Sequence, residues 1–493
     1  MNDGFVSRFL KGVLSTGIGT MASVLLGFLN VVIAVRIVPK DEFGAYVLLL
    51  VMVSFFTMAA DMGLSVSTTR FIAGGGPASR EDTAGTMLSF KVAATLIVSL
   101  AVALSTGVAG RIFGSDLLPD LLVYIPLLFL LESLNSFLTS VMQGLHYYKK
   151  LAVAQICLGI MNFGCIVLFV AGLGMGVRGL IYARAAAVAL AAVYQIRALP
   201  FAVRLRWDGR LFREIFGFGF PLGLNGALTF VFTKVDTLII GALVSPVGVA
   251  YYGAASKIPD SSRQLFNSFK SVYFPNMSEL YNKDQPREAE KVLNNSLRAV
   301  AFASTLATLV VFLFQDSIVK LLFSDKYIDS APVLSILMFA LCVALVGNVL
   351  GTTLVSAGHS RLPVVINIVD TVVNVAANLL LVPVFGIIGA ASAALISRTA
   401  TNPVNVIFLK RSGIGVDVMQ YVKPMAALAA CAGMCHFSGM DSVPARLVVL
   451  AVFCGLCNVM SVITVDDFSG LVRGLRYRAG QSVATDAEPR RAG

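Results

Sequence analysis

Residues Gly217–Tyr252 read GFGFPLGLNGALTFVFTKVDTLIIGALVSPVGVAYY. The stretch is long and apolar enough to cross a bilayer as a helix, since about 20 residues rising ~1.5 Å each span the hydrocarbon. Yet it carries Asn225, Lys234 and Asp236, and a charge at membrane depth needs a partner or a use. It also replays an earlier passage. Val31–Tyr46 is VVIAVRIVPKDEFGAY and Asp236–Tyr251 is DTLIIGALVSPVGVAY, each running from an apolar helix through a proline turn to Gly and then Tyr. A second half of the fold therefore restarts here.

Composition agrees with a membrane setting. Of 493 residues 57% are hydrophobic and 13% charged, and the mean hydropathy of +0.83 leaves too little charge to coat a soluble α-helical core. Apolar runs continuous over about 20 residues predict helices, whereas a barrel would alternate over about 10. Spans are expected near 13–37, 43–68, 84–109, 117–143, 151–173, 177–200, 215–243, 254–281, 296–321, 332–356, 362–383, 386–409, 421–439 and 444–464. The expected fold is an all-α polytopic membrane protein with about fourteen transmembrane helices, two pseudo-symmetric six-helix lobes and two C-terminal helices. Residues 1–200 form the first lobe, 201–214 a basic cytoplasmic linker, 215–410 the second lobe, 411–465 the two extra helices, and 466–493 a disordered cytoplasmic tail.

The net charge of +11 is scattered over short loops, which argues against nucleic acid as a partner and for positive-inside topology. With the N-terminus cytoplasmic, one side collects Arg70, Lys149, Lys150, Arg204, Arg206, Arg210, Lys283, Lys410 and the Arg-rich tail, so both termini face the cytoplasm of a multi-pass inner-membrane protein. Arg8 and Lys11 precede a first span of about 25 residues, too long for a signal-peptide core, which predicts a retained helix. No loop is long enough to house a soluble active site, so any activity lies between helices and no catalytic residue is assigned.

Several apparent motifs carry no chemistry. Gly74-Gly75-Gly76-Pro77 lacks the Lys-Ser/Thr of a phosphate-binding loop, and Cys431, Cys435, His436, Cys454 and Cys457 lie in apolar helices without a polar second shell for zinc. No metal site or cofactor is expected, apart from coupling to a proton or sodium gradient. The seven cysteines sit in apolar runs and define no disulfide framework.

A second repeat supports the first. Gln155 and Asn162 are followed by Gly176-x-x-Gly179, and Asn367 and Asn374 by Gly386-x-x-Gly389. At 100° per residue, Thr16, Thr20, Ser23, Gly27 and Asn30 share one helical face; Asn225, Thr229, Thr233 and Asp236 share another, from which Lys234 points away. Asn367, Asp370, Thr371, Asn374 and Asn378 make the clearest stripe, while Lys257, Asp260, Gln264, Asn267, Lys270 and Ser271 form a broad one. For Ser, Thr and Asn, ordinary helix-to-helix hydrogen bonding is the competing explanation. Buried charges weigh the other way. They are Arg36, Asp61, Lys91, Glu132, Arg184, Lys234, Asp236, Lys257, Asp260, Arg263, Lys270, Asp370 and Arg398. Cations outnumber carboxylates slightly, which suits an anionic group such as a diphosphate. Candidate substrate contacts are therefore Asn30, Arg36, Lys234, Asp236, Lys257, Asp260, Arg263, Lys270, Asn367, Asp370, Asn374 and Arg398, with Asp61, Asp236 and Asp370 as candidate ion-coupling groups.

The run Pro39-Lys40-Asp41-Glu42-Phe43-Gly44-Ala45-Tyr46, with Ala60-Asp61-Met62-Gly63-Leu64 and Arg70-Phe71, resembles the start of bacterial polysaccharide transporters, the Wzx-type flippases of the MOP superfamily. The likeness continues through Gly217–Leu222, Val235-Asp236-Thr237, Tyr251–Ala255, Phe274-Pro275, Phe323–Tyr327 and Gly386-x-x-Gly389. It implies two six-helix lobes around a central cavity, alternating access, and transfer of undecaprenyl-diphosphate-linked oligosaccharide units for O-antigen, capsule or exopolysaccharide assembly. Implied partners are the lipid-linked oligosaccharide, membrane lipids, and the polysaccharide polymerase and chain-length proteins. A lipid II flippase shares the helix count and the basic cavity. Drug antiporters of the same superfamily have twelve helices and an acidic cavity, and glycan polymerases carry a large periplasmic loop. A purely structural subunit would not need buried charges at this density.

Overall fold

The computed structural model describes residues 21–74, 79–113, 117–359, 361–438, 442–460 and 462, and among these the chain is helical with turns and no strand. Thr16, Thr20, Gly75–Pro77 and the tail from 466, with the side chains of Asn225, Thr229 and His436, lie outside the description. Helix α1 is described over Met21–Ile37. Then come α2 (Lys40–Asp61), α3 (Leu64–Gly74), α4 (Arg80–Phe113), α5 (Leu117–Leu122), α6 (Ile125–Gly144) and α7 (Tyr148–Ile166), which ends in a π-helical turn, Val167–Gly172. After α8 (Gly176–Ala198), the second half supplies α9 (Gly209–Leu243), α10 (Pro246–Ala255), α11 (Lys257–Asn282) and α12 (Pro286–Phe323). A 3-10 turn, Asp325–Ser330, leads into α13 (Ala331–Ser356), followed by α14 (Arg361–Arg411), α15 (Met419–Ser438) and α16 (Val443–Val459).

Among the described residues eight helices are long and apolar enough to cross a membrane, or nine if α9 counts through its 51° bend between Leu228 and Thr233. The 51 residues of α14 would measure about 76 Å if straight, more than twice the ~30 Å hydrocarbon core. Gly386, at φ 57°, ψ −133°, breaks it into two segments of spanning length. The protein is thus an all-α polytopic membrane protein.

Two expected spans differ in detail. The one placed at 43–68 stops at Asp61, because Met62 (φ 38°) and Gly63 (φ 81°) turn left-handed before α3 begins. The one placed at 254–281 is divided at Ser256; its long part, α11, is polar and falls outside the apolar set, with Gln264, Asn267 and Lys270 exposed.

The repeats are visible in the backbone. Ser245 caps α10 by accepting from the Gly248 N–H at 3.1 Å, with Pro246 at the first helical position, and α2 likewise starts directly after Pro39. Gly176 (φ 55°) and Gly386 (φ 57°) occupy equivalent left-handed turns. Three residues later, Gly179 lies against the Phe169 carbonyl and Gly389 against that of Leu381, so a β-carbon at either would crowd the preceding helix.

Packing divides the chain into two compact units, whereas the division 1–200 and 215–410 follows the repeat. One unit comprises Met1–Ser271, Gln315–Ala340 and Val364–Thr401. Within it Leu64, Ile72, Met87, Phe137, Val141 and Ile215 form a buried core. The 201–208 stretch runs extended beside α4, where Ser89 donates to the Arg206 carbonyl at 3.1 Å and Arg206 pairs with Asp82. Asp208 then caps α9 by accepting from the backbone of Arg210 and Leu211. Helix α2 meets the second half at both ends: Gly44 abuts the Pro246 backbone, while Met62 and Gly63 abut Gly223 and Gly219 of α9, each approach too close for a β-carbon.

The other unit comprises Val272–Phe314, Leu341–Pro363 and Asn402–Gly493. In it the Tyr273 and Thr353 hydroxyls are 2.8 Å apart, Asn402 donates to the Val343 carbonyl at 2.9 Å, and Phe302 stacks on Phe453. Glu290 accepts from the Gly415 N–H at 2.6 Å.

Candidate functional site

A polar cavity of about 560 Å³ lies among α1, α2, α6, α7 and α8, with Lys257 from the start of α11 on its wall. That volume is within the ~300–1,000 Å³ usual for small-molecule sites. Its polar lining includes Asn30, Asp61, Glu132, Asn135, Asn162 and Arg184. Glu132 and Arg184 form an ion pair at 2.6 Å. Asp61 is bound by Lys91 at 3.1 Å, and Lys91 is almost wholly buried behind it. Ser65, one turn beyond Asp61, donates its hydroxyl to the same carboxylate and touches Ser136 at 3.2 Å. Each wall carboxylate is therefore matched by a cation. Lys257 is the exception: the nearby Asp260 carboxylate is taken by Arg263 at 2.7 Å, and Lys234 and Arg184 add positive charge around it. Among the described residues no carboxylate lies within ion-pair distance of Lys257; Asp260 acts on it only from farther off, so Lys257 is a wall cation without a direct partner.

The second cluster is built on α9, α10 and α14. Asp236 is buried and accepts from the Tyr252 hydroxyl at 2.8 Å and from Asn378 Nδ2 at 2.8 Å. Asn378 Nδ2 also donates to the Asn374 carbonyl at 2.9 Å, one turn back. Asp370, a further turn back, pairs with Arg398 across the Gly386 break. The spacing 370, 374, 378 thus places three polar side chains on the buried side of one helix. An arginine of intermediate exposure stands on the helix segment after each of two left-handed glycines, Arg184 after Gly176 and Arg398 after Gly386, each matched to a carboxylate.

The remaining sequence candidates lie elsewhere. Arg36 is exposed at the end of α1 and donates to the carbonyls of Leu321 and Leu322, the C-terminal end of α12, where a cation is favoured. In return Lys326 donates to the carbonyls of Arg36 (2.9 Å) and Val38 (3.1 Å). Asp260 and Arg263 pair with each other one turn apart, both about two-fifths exposed. Lys270 and Asn367 are exposed, and Lys234 is half-buried outside the cavity wall. As the helical spacing requires, Lys234 does not share the Asp236 network.

Asn135 and Ser136 were missed by the sequence reading, although Glu132, Asn135 and Ser136 have the i, i+3, i+4 spacing of one face. Tyr252 was missed as the partner of Asp236; it stands directly after the tyrosine that ends the second repeat segment, and spacing along the chain does not mark it. Among the described residues no group of three His, Cys, Asp or Glu side chains is placed to hold a metal ion.

Comparison with known proteins adds four findings. The probable low-salt glycan biosynthesis flippase Agl15 of Haloferax volcanii is 22% identical over 372 residues, covering 76% of this chain and 77% of that protein. The putative O-antigen transporter of Shigella flexneri is 23% identical over 226 residues, 46% of this chain and 53% of its own length. A solved structure of the lipid II flippase MurJ, in an inward closed conformation, has the same fold: the TM-score is 0.70 at 15% identity over 90% of this chain and 97% of that one. Asp61, Glu132, Arg184 and Lys257 all fall within residues 33–332, the span matched by the model of the family described as Polysaccharide biosynthesis protein, and this chain belongs to that family.

Proposed function

We propose that this protein is a flippase that moves undecaprenyl-diphosphate-linked oligosaccharide units from the cytoplasmic to the periplasmic leaflet of the inner membrane, with both termini cytoplasmic. The observation that carries the reading is Lys257, which has no ion-pair partner among the described residues, on the wall of a cavity whose carboxylates are paired. A charge-balanced wall with one spare cation attracts an anion, and a diphosphate supplies one with many acceptor oxygens. In this reading Lys257 holds the diphosphate, the glycan enters the cavity, and the prenyl chain stays in lipid. Access alternates through movement of the 1–200 half against the 215–410 half, with Asp61, Asp236 and Asp370 as the groups through which a proton or sodium gradient acts. The polymer is O-antigen, capsule or exopolysaccharide, and the polymerase and chain-length proteins are its natural partners. The names of the relatives and the family membership support this direction.

The likeness of fold to MurJ makes lipid II the rival substrate. Reconstitution decides between them. Vesicles carrying the protein should exchange a fluorescent undecaprenyl-diphosphate oligosaccharide between leaflets faster than empty vesicles, and faster than they exchange lipid II. Equal rates with and without protein, together with gradient-driven export of an organic cation, would overturn the proposal.

A further inference from the structure

Two asparagines on the cavity wall carry side-chain oxygens that find no partner among the described residues. Asn30 and Asn162 are each more than nine-tenths buried, both line the cavity, and the Oδ1 of each has no hydrogen-bond partner. Such an atom is an acceptor waiting for a donor, since buried polar groups are otherwise almost always paired.

The helices that carry the two asparagines approach closely one turn before them. Gly159 of α7 lies against Leu26 of α1, so closely that a β-carbon at 159 would meet the leucine Cδ1 at 2.8 Å. Counting membrane crossings, α1 and α7 run in the same direction, being the first and fifth passes. Asn30 is one turn beyond Leu26, and Asn162 is one turn beyond Gly159. The missing side chain at 159 brings the helices together there, and the two amides follow on the next turn. Around them the wall offers Asn135, Ser136 and the Tyr46 ring. Gln195 donates to Asn135 Oδ1 at 2.9 Å, which fixes the Asn135 carbonyl as an acceptor already in use and turns its NH₂ to other partners.

We infer that this amide-lined end of the cavity is a sugar subsite, in which Asn30 Oδ1 and Asn162 Oδ1 accept hydrogen bonds from hydroxyls of a pyranose and Tyr46 offers an aromatic wall to its C–H edge. The inference rests on the flippase reading and deepens it, separating where the glycan is read from where the diphosphate is held. The chemistry singles out a neutral polyhydroxylated group. An apolar chain would leave both carbonyls buried and unpaired. A second anion would face Asp61 and Glu132 without a spare cation, because Lys91 and Arg184 are already engaged. Hydroxyls donate and accept on neighbouring atoms, which is what a wall of amides, a serine and a tyrosine offers in return.

The test uses the full-length protein in lipid nanodiscs and three probes: bare undecaprenyl diphosphate, and the same lipid bearing one glucose or one galactose. The wild type should bind at least one glycosylated lipid about tenfold more tightly than the bare lipid. In N30L and in N162L, where the acceptor is replaced by an apolar side chain of similar size, that preference should vanish while binding of the bare lipid stays within twofold. The milder N30S and N162S variants stand in for any leucine variant that also loses the bare lipid, and should weaken the preference likewise. Preference for the glycosylated lipid that survives in both positions, or a wild type that binds all three probes equally, would overturn the subsite while leaving the flippase reading intact. A wild type that binds none of the three probes would overturn both.

Discussion

Gly44 and Pro246 meet backbone against backbone, and a β-carbon added at Gly44 would overlap the Pro246 carbonyl. The contact joins the first turn of α2 to the first turn of α10, the two helices that the sequence repeat equates. It has a counterpart at the other end of α2, where Gly63 and Gly223 leave the same absence of room. Gly44→Ala should therefore destabilise the protein by roughly 1–3 kcal/mol through overpacking, and should lower polymer export by more than its loss of stability explains. Thermal unfolding in detergent and export in a cell lacking the native protein measure the two effects. An alanine variant with unchanged melting and export would show that α2 and α10 do not approach so closely.

Arg398 pairs with the buried Asp370, and removing the arginine leaves a buried carboxylate without its cation. Arg398→Gln should cost about 3–5 kcal/mol, while the double variant R398Q/D370N should recover most of that loss because no isolated charge remains. Thermal unfolding of the two single variants and the double variant closes the cycle.

Lys257 and Lys270 lie on the same helix, one on the cavity wall and one exposed. If Lys257 holds the diphosphate, Lys257→Gln should slow leaflet exchange by about tenfold or more, the cost of one charge-assisted hydrogen bond. Lys270→Gln should leave the rate within twofold. Equal effects in the two variants would remove Lys257 from the substrate site.

Glu42 reaches across from α2 to the start of α8, where its carboxylate accepts from the Val177 N–H at 2.8 Å beside the left-handed Gly176. Glu42→Ala removes the acceptor that satisfies a free helix-end N–H, and should destabilise by about 0.5–2 kcal/mol. Glu42→Gln keeps the acceptor oxygen and should recover about half of the loss or more. Chemical denaturation of the three proteins measures the order.

Much of this arrangement was legible in the residues because helices report their own geometry. The matching glycines 176 and 386 and the buried run 370, 374, 378 follow from spacing along one chain segment. What spacing does not carry is the partner on another helix. Asp61 and Lys91 were both visible as buried charges, but nothing within 30 residues of sequence says that they meet. Arg36 is the sharper case. Its partners are the carbonyls of Leu321 and Leu322, and a backbone acceptor leaves no signature in side-chain chemistry. Asn367 shares its helix with Asp370 yet is exposed, because a stripe fixes which residues share a face and only packing fixes how wide the covered part of that face is.

The reciprocal bonds of Arg36 and Lys326 to main-chain carbonyls have a consequence for the medium that bathes this end of the protein. Neither link includes a carboxylate, so acidification removes no acceptor from it. A clasp made with acidic residues would loosen as the surroundings turned sour. This one rests on main-chain carbonyls alone, acceptors that no proton can take away.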